Sequence, residues 1–292
     1  MGSINRLAIG TVQFGIPYGV SNANGKVDIA EADRILKYAK LHGIDTLDTA
    51  IAYGESETVL GRLGVDNWNV VSKLPCIPED VLNVQAWVEQ EVFATLERLR
   101  IHNLYGLLLH YPNQLTDALV GDELYSALRS LKERGYVQKI GVSVYSRNEI
   151  SSLMRGREFD LIQIPLNIID RSFVDSGYAK NLKARGIEIH VRSIFLQGLL
   201  LMGGKRPQKF DCWRSLWQQW EEWLLSNAIT PLEACLRYAM SVSEIDRVVV
   251  GVESLEQLKE IVNAVDGSLP TLPNWGMPID EDLLNPARWS LL

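Results

Sequence analysis

Cysteine is scarce in this 292-residue chain: Cys76, Cys212 and Cys235 stand far apart, with no CxxC pair. An odd, scattered set excludes a disulfide framework and a zinc ribbon. Three reduced, mostly buried thiols are the expectation. His42, His102, His110 and His190 show no metal-ligand spacing, so no metal site is expected. Basic charge is also short: 29 Lys and Arg against 36 Asp and Glu leave a net charge of −7, which argues against a general nucleic-acid binder. No apolar run approaches about 18 residues, so no membrane span is expected. No GxGxxG loop follows a strand, which argues against a Rossmann dinucleotide site. Met1–Arg6 carries no charged-then-apolar leader, so no signal peptide is expected and the cytoplasm is the expected location. Gly2 with Asn5 and Arg6 matches only the loose opening of a myristoylation pattern.

What is present is alternation. Short, almost wholly apolar runs are followed by amphipathic stretches from one end of the chain to the other. The runs are Leu7–Gly10, Ile44–Asp48, Trp68–Lys73, Leu104–His110, Ile140–Val144, Leu161–Leu166, Ile187–Val191 and Arg247–Val250. Strands of that character belong to a parallel sheet covered by helices. Helices are expected over 28–42, 56–63, 81–100, 121–134, 148–155, 173–185 and 255–265. In the third, Val84, Val88, Val92, Leu96 and Leu99 recur at steps of three and four. Eight β-then-α units predict a (β/α)8 TIM barrel, a fold of about 250 residues. Residues 1–292 therefore read as a single domain. An inserted segment, 192–245, with a loop and two helices precedes the last strand, and a tail runs over 268–292. Trp213, Trp217, Trp220 and Trp223 in the insert, at spacings of four, three and three, form either an aromatic substrate wall or ordinary packing. Trp275 and Trp289 either line the pocket or fasten the tail.

In parallel barrels the active site lies at the C-terminal ends of the strands. There the second strand delivers Asp48 and, five residues on, Tyr53. The third delivers Lys73 and the fourth His110. Charges directly after apolar runs are costly to bury unless paired. As a set they make a proton donor: an ammonium favours the phenolate form of a tyrosine, a carboxylate holds the ammonium, and a histidine orients a carbonyl oxygen. Hydride must come from a cofactor, because no side chain donates it.

Asp48-Thr49-Ala50-x-x-Tyr53-Gly54-x-Ser56-Glu57, with Lys73 and His110, resembles the catalytic tetrad of the aldo-keto reductase family, and Ile9 to Gly15 is similar to that family's first strand. The resemblance runs from about residue 6 to about residue 265. It implies Tyr53 as general acid, supported by Asp48, Lys73 and His110. It also implies a nicotinamide cofactor lying extended across the barrel mouth. The matching contacts are Gly10, Thr11, Val12 and Asp48, then Ser143 at the end of Lys139–Ser143, and Gln163. After the seventh strand come Arg192, Ser193, Phe195, Leu196 and Gly198, with Gln197 to Leu200 as a pyrophosphate loop. After the eighth come Gly251, Glu253 and Gln257.

Three positions depart from the family's common pattern. Val144 stands where Asn is usual, and Arg192 where many members stack an aromatic on the nicotinamide, with Phe195 as a substitute stacker. Arg192 can stack or bind an anionic group of cofactor or substrate. Glu253 stands where many members place a cation for the 2′-phosphate of NADP; a carboxylate there repels phosphate and accepts from a free ribose diol. Lys205 and Arg206 are candidate compensating cations, and the helix beginning at Ser254 offers backbone donors. Family habit favours NADP(H) over NAD(H), with weakened discrimination. The expected activity is reduction of a small aldehyde, ketone or sugar-derived carbonyl. The alternative is a cofactor-sensing or regulatory barrel with little turnover. A metal-dependent barrel hydrolase lacks clustered ligands. Substrate and oligomeric state are not readable.

Overall fold

A computed structural model describes residues 3–22, 25–275 and 279–291; Gly2 lies outside them. Eight parallel strands close into a barrel, each hydrogen-bonded to its sequence neighbours and the last to the first. They are β1 (Leu7–Gly10), β2 (Thr46–Asp48), β3 (Asn69–Leu74), β4 (Leu104–Leu109), β5 (Val137–Ser143), β6 (Leu161–Pro165), β7 (Glu188–Arg192) and β8 (Arg247–Gly251). Helices between the strands cover the barrel, so the (β/α)8 architecture read from the alternation is the one present. The insert carries helices Arg214–Ser226 and Pro231–Ser241. A short helix, Glu281–Leu284, lies in the tail. No helix among the described residues is long and apolar enough to cross a membrane.

Element ends follow local chemistry. Asp28 caps Ile29–Leu41 by accepting from the Glu31 amide at 2.8 Å. The helix expected from residue 81 begins at Val84, because the Asn83 side chain accepts from the Ala86 amide at 2.9 Å and sets the first turn there. The helix expected over 173–185 is two, Ser172–Asp175 and Tyr178–Ala184, broken where Gly177 takes φ +74°.

The tryptophans pack; they do not wall a pocket. Trp213 ends a 3₁₀ turn, Gln208–Trp213, and so precedes the helix. Trp217, Trp220 and Trp223 are buried. Their indole N–H groups donate to the carbonyls of Phe210 (2.8 Å), Leu200 (3.3 Å) and Thr271 (3.0 Å). Trp275 and Trp289 are also buried and donate to Ile168 and Leu283 carbonyls. Buried indoles that satisfy their single donor can fasten an insert and a tail to a barrel without polar cost. Only one thiol is buried: Cys235 is, whereas Cys76, after β3, and Cys212, in the 3₁₀ turn, are exposed.

Inside the barrel, Val71, Leu108 and Leu161 form an apolar layer. Below it, near the N-terminal ends of the strands, Glu188 accepts from Tyr105 at 2.8 Å and pairs with His190 at 2.6 Å and with Lys139. Burial alone would raise the Glu188 carboxyl, but those partners hold it down at about 2. Lys139 therefore serves this lower layer. Within Lys139–Ser143 it is Ser143 that reaches the mouth.

Candidate active site

At the C-terminal ends of the strands lies a cavity of about 700 Å³, within the usual range of ligand sites, roughly 300–1,000 Å³. Asp48, the last residue of β2, is buried at its floor. Its Oδ1 accepts from Lys73 Nζ at 2.6 Å and its Oδ2 from Gln163 Nε2 at 2.7 Å. Lys73 is 1% exposed and also donates to the Thr49 carbonyl at 2.9 Å. Burial pulls the Lys73 ammonium's pKa down, but the Asp48 carboxylate and neighbouring Tyr53 more than offset it, so the group sits above its ordinary value and stays charged.

Tyr53 lies on the loop after β2. Lys73 Nζ is 5.1 Å from its ring centroid, and the His110 ring meets it edge-on at 5.9 Å. The loop can come this close to the helical turn after β1, Val12–Gly15, because residue 15 is glycine: a Cβ there would sit 1.7 Å from the Tyr53 carbonyl oxygen. Ser56 and Glu57, carried in the same motif, act as braces. Ser56 Oγ donates to the Thr11 carbonyl at 2.9 Å. Glu57, itself buried, accepts from Ser72 at 2.6 Å and from Arg98 at 2.8 Å, tying β3 to the helix Val84–Leu99. Burial, with the Lys73 and Arg192 charges alongside, pushes the His110 imidazole down to about 4. It is neutral at ordinary pH and can orient a carbonyl oxygen without delivering a proton itself.

The remaining sequence-derived positions fall along the same cavity, with one exception. Gly10, Thr11 and Val12 line it from β1. Ser143 and Gln163 line it from β5 and β6, with Ser143 Oγ 3.3 Å from Gln163 Oε1. Arg192 lines it from the end of β7, Ser193, Phe195 and Gly198 from the loop that follows, and Gly251, Glu253 and Gln257 from β8 onward. Leu196 does not: its side chain is fully buried in the core, as are Leu199 and Leu200, so only Gln197 and Gly198 of the expected pyrophosphate loop face the cavity. That loop holds Ser193, Leu196 and Gln197 at positive φ (62°, 49° and 52°). These conformations are strained for non-glycine residues and gather at functional sites. Val144, where the family's Asn is absent, does not line the cavity.

Sequence reasoning missed several lining residues: Tyr18 and Tyr145 near the carbonyl end, Gln13 against Gly251, and Thr230 and Glu260 at the far end. Position in a βα loop was the available signal for Tyr18 and Tyr145. The far end differs from expectation in its charge. Arg206 is turned away, paired with Glu221 at 2.8 Å and stacked over Trp217. Lys205 does not line the cavity. The Leu255 amide at the helix start already donates to Glu31 at 2.6 Å, and the Gln257 amide to Ser254 Oγ at 3.2 Å. Among the described residues, the cations lining the cavity are Lys73 and Arg192, both at the catalytic end. No described group of three His, Cys, Asp or Glu stands together as metal ligands.

A nicotinamide dinucleotide fits these walls. The cavity extends from Lys73 and His110 to Glu253 and Gln257, and within it Gln13 Oε1 and His110 Nδ1 are buried polar atoms without a partner among the described residues.

The family model "Aldo/keto reductase family" matches residues 6–271. A methylglyoxal reductase of Escherichia coli, described as NADH-specific, is 24% identical, with 91% of each chain covered. A D-arabinose 1-dehydrogenase of Saccharomyces cerevisiae is 31% identical over 38% of this chain and 36% of its own. In fold the chain is similar to the holo form of the aldo-keto reductase AKR11C1 from Bacillus halodurans, with TM-score 0.73, 21% identity, and 91% of this chain and 88% of that one covered. The chain belongs to the aldo/keto reductase family.

Proposed function

We infer that this member of the aldo/keto reductase family, an oxidoreductase of carbonyl compounds by that membership, reduces a small aldehyde or ketone to an alcohol with Tyr53 as the proton donor. The observation that carries this reading is the Asp48–Lys73 ion pair buried directly against the Tyr53 ring. Bound along the groove, a reduced nicotinamide supplies the hydride that adds to the carbonyl carbon. The Tyr53 hydroxyl gives its proton to the carbonyl oxygen. Lys73 stabilises the negative charge left on the phenol oxygen, and Asp48 holds Lys73 in place. Neutral His110 fixes the carbonyl oxygen beside Tyr53. Gln163, tied to Asp48, and Ser143 would hold the cofactor's carboxamide. We read residues 1–292 as one barrel domain working in the cytoplasm. Consumption of reduced cofactor with a panel of aldehydes and ketones tests the reading. Cofactor binding with no turnover on any of them would favour the cofactor-sensing alternative.

The far end of the groove moves the cofactor preference from the family's habitual NADP(H) toward NAD(H). A 2′-phosphate there would face Glu253 and Glu260 and find the Leu255 amide occupied; a ribose diol would find acceptors. Replacing Glu253 with Arg adds a charge-assisted hydrogen bond of roughly 1.5–3 kcal/mol. The NADPH-to-NADH ratio of kcat/KM is then expected to rise about tenfold or more. An unchanged ratio in parallel kinetics with both cofactors would remove Glu253 from the choice.

His110 also sets a pH expectation. Its folded pKa lies near 4, below the ordinary 6.5, so protonation is deferred to acid pH. The profile of kcat/KM is therefore expected to stay level from neutrality down to about pH 5. An acid limb centred near the ordinary imidazole value would show that His110 titrates freely and does not sit in this environment.

A further inference from the structure

The catalytic mouth carries more positive charge than its own residues balance. It holds two cations, Lys73 and Arg192, and one carboxylate, Asp48. Both oxygens of Asp48 are already engaged, one by Lys73 at 2.6 Å and one by Gln163 at 2.7 Å. Arg192 ends β7, with its backbone fixed opposite Pro165. Its guanidinium donates to the Val144 carbonyl at 3.1 Å, touches Ser193 Oγ at 3.4 Å and lies 4.7 Å from the Tyr145 ring centroid. Among the described residues no carboxylate pairs with it. Of the other partly buried arginines, Arg98 meets Glu57, Arg206 meets Glu221 and Arg237 meets Glu233, whereas Arg6 is satisfied by the Met240, Val242 and Ile245 carbonyls and has no free edge toward a cavity of this kind. The charge of Arg192 is felt at His110, Lys73 and Tyr18, which places it on the carbonyl side of the cavity.

A surplus cation in a concave, partly desolvated site focuses potential and draws an anion to it, even on a protein whose net charge is −7. A planar guanidinium with free N–H edges matches carboxylate and phosphate oxygens. We propose that Arg192 is the binding site for an anionic group on the carbonyl substrate, a carboxylate or a phosphate, so that the preferred substrates are charged aldehydes or ketones. The proposal rests on the reductase reading above. Tyr53 and His110 hold the carbonyl, Arg192 holds the substrate's charge, and Tyr145 supports the guanidinium from the solvent side.

The test compares matched pairs: succinic semialdehyde with butanal for carboxylate, and glyceraldehyde 3-phosphate with glyceraldehyde for phosphate. The wild-type protein is expected to favour the charged member of at least one pair in kcat/KM by about tenfold or more, the size of one charge-assisted hydrogen bond. The pair that shows it identifies the anion. Arg192→Met is expected to abolish that ratio and Arg192→Lys to restore much of it, a pattern that loss of packing alone would not give. A wild-type ratio near one, or a ratio that survives in Arg192→Met, overturns the proposal. So does a weakened cofactor affinity in Arg192→Met with the substrate ratio intact, which would assign the guanidinium to the nicotinamide end of the cofactor. Binding of succinate to the protein with oxidised cofactor, followed by tryptophan fluorescence, separates the two claims. Arg192-dependent binding without any turnover keeps the anion site and sinks the reductase reading. Turnover without charge preference does the reverse.

Discussion

Replacement of Tyr53 by Phe is expected to lower kcat by about a hundredfold or more, the usual cost of removing a general acid, while cofactor affinity holds. The variant keeps the ring, and with it the edge-on contact to His110 and the packing over Lys73. The loop geometry set by Gly15 is untouched. Only the transferable proton is lost. Steady-state kinetics beside a fluorescence titration of the cofactor reads both quantities. Near-normal kcat in Tyr53→Phe would take the proton from some other group and dissolve the role assigned to the tetrad.

The second large effect is expected from Lys73→Met, and it has two components. The ammonium is 1% exposed and faces a carboxylate that is also buried. Removing it leaves Asp48 with the Gln163 amide but no counter-charge. Breaking a buried pair from one side costs about 3–5 kcal/mol. Turnover falls as well, because no cation remains to stabilise the charge developing on Tyr53. The double variant Lys73→Met with Asp48→Asn separates the components: it is expected to regain much of the stability, since the stranded charge is gone, and none of the activity. Denaturant midpoints and kcat for the three proteins check this. A Lys73→Met midpoint equal to the wild type would mean that the pair is not a buried one.

The barrel was legible because a strand buried on both faces must be apolar throughout, and Val70-Val71, Leu107-Leu108-Leu109 and Val248-Val249-Val250 leave little choice. Asp48 and Lys73 stood out for the complementary reason: charge directly after such runs needs a partner, and each is the other's. Where the reading failed, longer-range contacts decide. Leu196 lies in a loop whose backbone at φ +49° turns the side chain into the core, and residue type does not disclose that turn. Gly177 interrupts an otherwise helical pattern only because the chain there takes a left-handed conformation. Trp213 continues the tryptophan spacing but sits in a 3₁₀ turn with a different repeat. Tyr18 and Tyr145 reach the cavity from loops that carry no periodic signal. Of the two cations Lys205 and Arg206, Arg206 is held by Glu221 and neither lines the cavity, which their place in the sequence does not reveal.

Tyr53, Lys73, Asp48 and His110 are proposed to support the movement of hydride from a nicotinamide to a carbonyl carbon. Reduced cofactor deuterated at the transferable position, incubated with the protein and a reducible carbonyl, tests it most directly through mass analysis of the alcohol. One deuterium per product molecule is expected, bound to the former carbonyl carbon, and almost none with Tyr53→Phe over the same interval. An alcohol formed without deuterium, or cofactor bound with no alcohol formed from any carbonyl, would contradict it.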